Sequence, residues 1–320
     1  MGSKRPRAGA PRLRRALACA VLLAAAVACA GAPRAASPAE DAIPRGHLLI
    51  VGGGPIPDAI LERFVALAGG PGKARIVLYP MASEYEDAGL ELAADFRKLG
   101  AEAERILLTR EKADTEEAAR RLDGVTGVWF VGGDQARLTA ALLGTRVEAA
   151  IRERYRQGAV VGGTSAGAAV MSTPMLTGEE RRPGGERPPA KDSSDAYMTI
   201  ARDNVITEQG FGLLPGTIVD QHFVRRRRNN RLLSLVLENP ALVGVGIDES
   251  TALEVGPEGP WKVLGTSVAV VYDARKARIT PAGAAPLGAA DVRLHVLPAG
   301  ATFDLASGTA ILPNSLASPP

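Results

Sequence analysis

Cysteine is almost missing from this 320-residue chain: there are two, Cys19 and Cys29, and none after them. The body of the chain therefore has no disulfide, no thiolate metal site and no cysteine nucleophile. Histidine is nearly as scarce. Any imidazole chemistry rests on His47, His222 or His295. No internal repeat, metal-ligand spacing or nucleic-acid motif occurs, so the sequence calls for no cofactor, no metal and no nucleic-acid partner. Acidic residues are absent until Glu40, which sets the first forty residues apart.

That acid-free stretch has a plan of its own. Lys4, Arg5, Arg7, Arg12, Arg14 and Arg15 precede an apolar run from Ala16 to Ala30, with Ala-x-Ala cleavage options at Ala26-Val27-Ala28 and Ala28-Cys29-Ala30. Residues 1–30 read as a secretory signal peptide, the run being short for a membrane span. Two fates are open, simple secretion or lipidation at Cys29, since Ala26-Val27-Ala28-Cys29 resembles a bacterial lipobox with a poor first position. Arg14-Arg15 adds a twin-arginine export signal as a third reading. The expected product is exported, whether secreted, periplasmic or lipid-anchored. Residues 31–45 read as a Pro/Ala/Ser linker. Of the 38 basic residues, seven stand among the first 34 positions, which leaves 31 against 35 acidic ones and a net charge of −4 rather than +3. The basic balance is thus a property of the leader and no sign of nucleic-acid binding.

Beyond the linker, 46% hydrophobic and 23% charged residues overall make a globular composition. Apolar strands alternate with helical patterns. Strands are expected at 47–51, 75–80, 104–108, 127–131 and 159–161, and helices at 60–68, 87–99, 115–122, 135–143 and 147–157. Continuous apolar strands between amphipathic helices predict an α/β fold, a mostly parallel sheet covered on both faces. Ligands of such sheets bind at the carboxyl ends of the strands. Gly52-Gly53-Gly54, Gly132-Gly133-Asp134-Gln135 and Gly163-Thr164-Ser165-Ala166-Gly167 all follow strands, so they should share one rim. The triple glycine fails as a dinucleotide fingerprint, because Pro57 stands where the third glycine belongs.

Ser165 sits in a G-x-S-x-G frame, the nucleophile-elbow pattern, where small residues two before and two after let the backbone turn sharply. The N–H of Ala166 would then face an oxyanion, and the Gly132-Gly133 loop offers a second donor at Gly133. Among the histidines, His222 ends the apolar strand Ile218-Val219-Asp220-Gln221 directly before a basic run, a position that projects into the crevice. His47 opens a buried strand. His295 alternates with apolar neighbours and shares a face with Arg293, which predicts a solvent-facing position and weakens the alternative order Ser165, acid, His295. Val243 to Ile247 forms another strand ending in Asp248 and Glu249, which point to opposite sides, so one of them should face His222 and orient it.

Together, Gly163-Thr164-Ser165-Ala166-Gly167-Ala168, Gly132-Gly133-Asp134-Gln135, Asp220-Gln221-His222-Phe223 with the arginines after it, and Gly246-Ile247-Asp248-Glu249 resemble the cyanophycinase family of serine peptidases, which also includes the aspartyl dipeptidase peptidase E. The resemblance spans about residues 46–275. It implies a flavodoxin-like sheet and a Ser165, His222, Glu249 triad. The implied reaction proceeds through an acyl-enzyme and releases β-Asp-Arg dipeptides from cyanophycin, a poly-aspartate with arginine on its side-chain carboxylates. It also implies substrate contacts at Gln135, Asp220, Gln221, Arg226, Arg228 and Arg231, and is compatible with a homodimer. The chemistry suits those residue types: arginines for free carboxylates, an acid for guanidinium groups. A solvated helix face is the plainer account of the arginine run. Other β-aspartyl peptides, or a catalytically silent surface-binding protein of the same fold, are the alternatives. Two departures from the family pattern bear on substrate choice: a Pro/Gly/charge-rich insertion at 178–194, read as a loop, and Asp134 where relatives commonly carry asparagine. Residues 276–320 read as a small C-terminal β extension and tail without chemistry of their own.

Overall fold

The computed structural model describes residues 44–181, 199–283 and 286–313. The signal peptide, Cys29 and most of the linker lie outside these residues, as does most of the 178–194 insertion. Five parallel strands form the middle and one end of the main sheet, in the order Glu102–Arg105, Arg75–Tyr79, Gly127–Phe130, Val160–Thr164 and Leu48–Val51. Their side chains alternate into two cores. Leu48, Ile50, Val77, Tyr79, Val128, Phe130 and Val161 enter one, and Leu49, Val51, Ile76, Leu78, Trp129 and Val160 enter the other. That two-sided burial is why these strands are continuously apolar.

Helices Asp58–Leu67 and Leu90–Lys98 cover the second face, inserting Ile60, Leu61, Phe64 and Val65 from one and Ala93 and Phe96 from the other. Phe64 meets Trp129 edge-on at 4.8 Å and Phe96 at 5.3 Å, so this face gathers three of the chain's few aromatic rings. Helices Gln135–Leu142 and Arg146–Gln157 pack on the first face through Leu138, Leu142, Val147 and Ile151.

Several boundaries differ from the sequence reading for local reasons. The helix expected at 115–122 runs Glu116–Arg120, and a further short helix, Arg110–Ala113, precedes it, because Thr109 and Thr115 each cap a new start by accepting from the third residue on. The strand expected at 104–108 runs Glu102–Arg105 at the edge of the sheet. Its charged residues suit an edge that no further strand covers among the described residues.

Beyond Leu48–Val51 the main sheet continues antiparallel through Thr251–Val255, Trp261–Gly265, Thr302–Asp304 and Thr309–Ile311. A second sheet runs Arg293–Pro298, Val268–Asp273, Val243–Ile247 and Thr217–Gln221, the last two parallel to each other. Described strands after residue 276 edge both sheets. His295 does not face solvent. Its ring lies 5.4 Å from Phe303 and its Nε2 is buried, while Leu294 and Val296 take the exposed face. The first residues of the 178–194 insertion are not loop either: they end the strand Met175–Glu180, which pairs with Val205–Glu208.

Candidate active site

The elbow forms because two backbones approach where no side chain fits. A Cβ on Gly163 would stand 2.5 Å from the carbonyl oxygen of Gly167, and one on Gly167 would stand 2.2 Å from that of Phe130. Between them Ser165 adopts φ 55° and ψ −111°, a conformation costly for a residue with a side chain. It leads directly into the short helix Ala166–Ala169. Its N–H donates to Val51 O at 3.0 Å, tying the turn to the neighbouring parallel strand.

His222 follows the Thr217–Gln221 strand and Glu249 follows Val243–Ile247, two neighbours of the second sheet. The imidazole lies 2.8 Å from the Ser165 hydroxyl at Nε2 and 2.6 Å from a Glu249 carboxylate oxygen at Nδ1. Asp248, also past the end of that strand, accepts instead from Val224 N–H, Arg225 N–H and the Ser267 hydroxyl. His222 is only 6% exposed, and burial lowers its pKa below the usual imidazole value; the cations of Arg226 and Arg228 push the same way, against the pull of Glu249. The arrangement therefore offers a neutral imidazole to accept the Ser165 proton, with a carboxylate placed to receive Nδ1–H and stabilise the charge that forms.

The triple glycine proves to be the seat of this pair, a role its sequence context did not reveal. A Cβ on Gly53, where φ is +109°, would stand 2.3 Å from Cε1 of His222, and one on Gly54 would lie 2.9 Å from the Glu249 Cβ. Gly52 O also accepts the His222 N–H at 2.6 Å. All three glycine-bearing loops lie on one rim, at the carboxyl ends of parallel strands. The N–H groups of Gly133 and Ala166 donate to no acceptor among the described residues, and Gly132 backs onto Ser165, where an added Cβ would lie 3.4 Å from the serine Cβ.

The expected substrate contacts divide in two. Asp220 is buried, and its two carboxylate oxygens accept from Nε (2.8 Å) and Nη2 of Arg231, itself buried on helix Asn229–Glu238. Asp220 and Arg231, both expected at the substrate, thus engage each other within the protein. Gln135 is buried with its carboxamide nitrogen on Leu176 O at 2.7 Å. Gln221 accepts twice from Arg228 Nη1, at its backbone oxygen (2.8 Å) and at Oε1 (2.5 Å). Arg226 and Arg228 are half-buried, whereas Arg225 and Arg227 are exposed. Asp134 caps helix Gln135–Leu142 by accepting from Ala136 N at 2.8 Å, a task asparagine performs equally well, so this departure from the pattern is neutral for the helix.

Residues 48–259 match the family described as Peptidase family S51. The chain is 37% identical over 260 residues to the cyanophycinase of Trichormus variabilis, covering 79% of this chain and 82% of that one. It is 33% identical over 271 residues to the cyanophycinase of Geminocystis herdmanii, covering 81% and 94%. A crystal structure of a peptidase from an acI-B1 Actinobacterium shares the fold, with a TM-score of 0.56 at 24% identity over 76% of this chain and 97% of that one.

Proposed function

This chain belongs to peptidase family S51 and is a serine-type peptidase, and from that premise we propose that it hydrolyses cyanophycin to β-Asp-Arg dipeptides through Ser165, His222 and Glu249. The observation that carries the catalytic part is the unbroken hydrogen-bonded series Ser165, His222, Glu249, with contacts of 2.8 and 2.6 Å. The choice of substrate draws on the cyanophycinase relatives, a third or more identical over most of the chain.

In this reading His222 Nε2 takes the proton as Ser165 Oγ attacks the scissile carbonyl, and Glu249 stabilises the imidazolium. The oxyanion receives the N–H groups of Gly133 and Ala166. The protonated imidazole then donates to the departing amine, leaving an acyl-serine that water, activated by the same imidazole, hydrolyses. Arg226 and Arg228, the half-buried cations whose charge reaches His222, are assigned to the substrate carboxylates, Arg228 held in a fixed attitude by Gln221. Gln135, Asp220, Gln221 and Arg231 shape the site from behind.

Incubation with purified cyanophycin, followed by mass spectrometry of the soluble fraction, tests the proposal. β-Asp-Arg is expected from the parent protein and none from Ser165→Ala, whose melting temperature should match the parent's. Intact polymer after treatment with a well-folded parent protein would falsify the substrate assignment. Full activity of Ser165→Ala would remove the serine from the mechanism.

A further inference from the structure

Asp248 stands beside Glu249 in the chain, yet its carboxylate bonds to the turn after His222 and to Ser267, while the imidazole bonds to Glu249 and Ser165. It is 8% exposed and fully engaged. One carboxylate oxygen accepts the N–H groups of Val224 (3.1 Å) and Arg225 (2.9 Å), and the other accepts the Ser267 hydroxyl at 2.7 Å. Val224 and Arg225 open the helix-like turn that runs from His222 to Arg228. Within it, Arg226 N–H donates to His222 O at 2.9 Å, Arg227 N–H to Val224 O at 3.0 Å, and Arg228 N–H to Phe223 O at 2.9 Å. The leading N–H groups of such a turn have no acceptor inside it, the deficit found at every helix start. Here a carboxylate from a different strand fills it.

The turn also needs an external hold. His222 and Arg227 have φ of 47° and 52°, a region that side-chain-bearing residues enter only when the surroundings enforce it. We infer that Asp248 is a positioning residue: by capping the turn after His222 it keeps the imidazole within hydrogen-bonding reach of Ser165. One strand end then governs the base twice, Glu249 through its ring and Asp248 through its backbone. The inference rests on Ser165 and His222 acting as proposed above, but not on the identity of the substrate.

Its test is accordingly independent of substrate. A fluorophosphonate probe reacts with an activated serine: the Oγ–P bond forms, fluoride leaves, and the serine proton passes to the imidazole. Labelling of Ser165, timed by intact-protein mass spectrometry, should be about a hundredfold slower in Asp248→Ala, the loss expected when a catalytic group is misplaced by about an ångström. Asp248→Asn retains an acceptor oxygen for both N–H groups, and its amide can donate to Ser267. It should recover to within about fivefold of the parent, the cost of exchanging a charged hydrogen bond for a neutral one. Ser267→Ala, which releases the carboxylate on one side, should also be about fivefold slower and serves if Asp248→Ala fails to fold. Parent-like labelling of a folded Asp248→Ala or of Ser267→Ala overturns the inference. So does Asp248→Asn as slow as Asp248→Ala, since charge rather than capping would then be at work. A parent protein that is not labelled at all removes the serine mechanism, and this inference with it.

Discussion

At His222 the balance of burial and charge decides in which protonation state the enzyme waits. Burial removes water from the imidazolium and lowers its pKa; Glu249 opposes this, and Arg226 and Arg228 reinforce it. A general base works only when neutral, so activity should be present above the folded-state pKa and lost as pH falls through it. Because that pKa lies below the ordinary value of about 6.5, the acid limb of kcat/KM against pH should be centred below 6.5. Arg226→Gln removes one of the opposing cations and should shift the bend toward higher pH. An acid limb centred at or above 6.5 in the parent protein would contradict this account of His222. Asp220 illustrates the opposite case at the same scale. As a carboxylate near a basic run it suggested a ligand for guanidinium, but the guanidinium it holds is Arg231, eleven positions away on the next helix. Breaking such a buried pair costs about 3–5 kcal/mol, so loss of activity in Asp220→Asn would be read through stability first.

Among the elements, legibility in the sequence depends on whether the cause is local. The elbow is legible because Gly163 answers to the Gly167 backbone within its own turn, although Gly167 itself answers to Phe130 on another strand. Asp248 and Glu249 likewise take different partners, as the expected alternation has it, although both lie past the end of the strand. The Gly52 to Gly54 loop is not legible, since the atoms that forbid a side chain there belong to the Ile247–Asp248 backbone, His222 and Glu249, far along the chain. The pairing of Asp220 with Arg231 and the capping of the arginine turn by Asp248 escape the sequence for the same reason. The loop's proposed role is open to direct test. In Gly53→Ala the new methyl would lie 2.3 Å from Cε1 of the imidazole, at a backbone φ of +109°. The backbone penalty alone is about 1–2 kcal/mol of stability. Displacement of the imidazole should in addition lower kcat by about a hundredfold. Steady-state kinetics and thermal unfolding separate the two. A variant that melts lower but retains kcat would show that the loop does not seat His222.

For the described molecule as a whole, the alternation of strand and helix correctly indicates a sheet buried on both faces, and the family resemblance describes its parallel part. The antiparallel half is harder to see, because short strands near the C-terminus carry no sign of which sheet they join. The structure divides them: Arg293–Pro298 edges the second sheet, while Thr302–Asp304 and Thr309–Ile311 close the main one. Leu297, Ala301 and Phe303 are buried in the core, and the Phe303 ring lies 5.4 Å from that of Trp261, just past the S51-matched region. These residues therefore belong to the stability of the peptidase domain, even though no residue among them touches Ser165, His222 or Glu249. Truncating a buried phenylalanine costs about 3–5 kcal/mol, a large share of the roughly 5–15 kcal/mol that holds a domain together. A chain ending at Arg275 loses that ring, Leu297 and Ala301 together, and leaves Trp261 and the Val268–Asp273 strand uncovered. It should be insoluble, or melt well below Phe303→Ala, which in turn should melt below the parent. Circular dichroism melts of the three proteins, with yields of soluble material, provide the comparison. A truncated chain with the parent's melting temperature would mean that the C-terminal strands are dispensable, and that the domain ends near residue 275 after all.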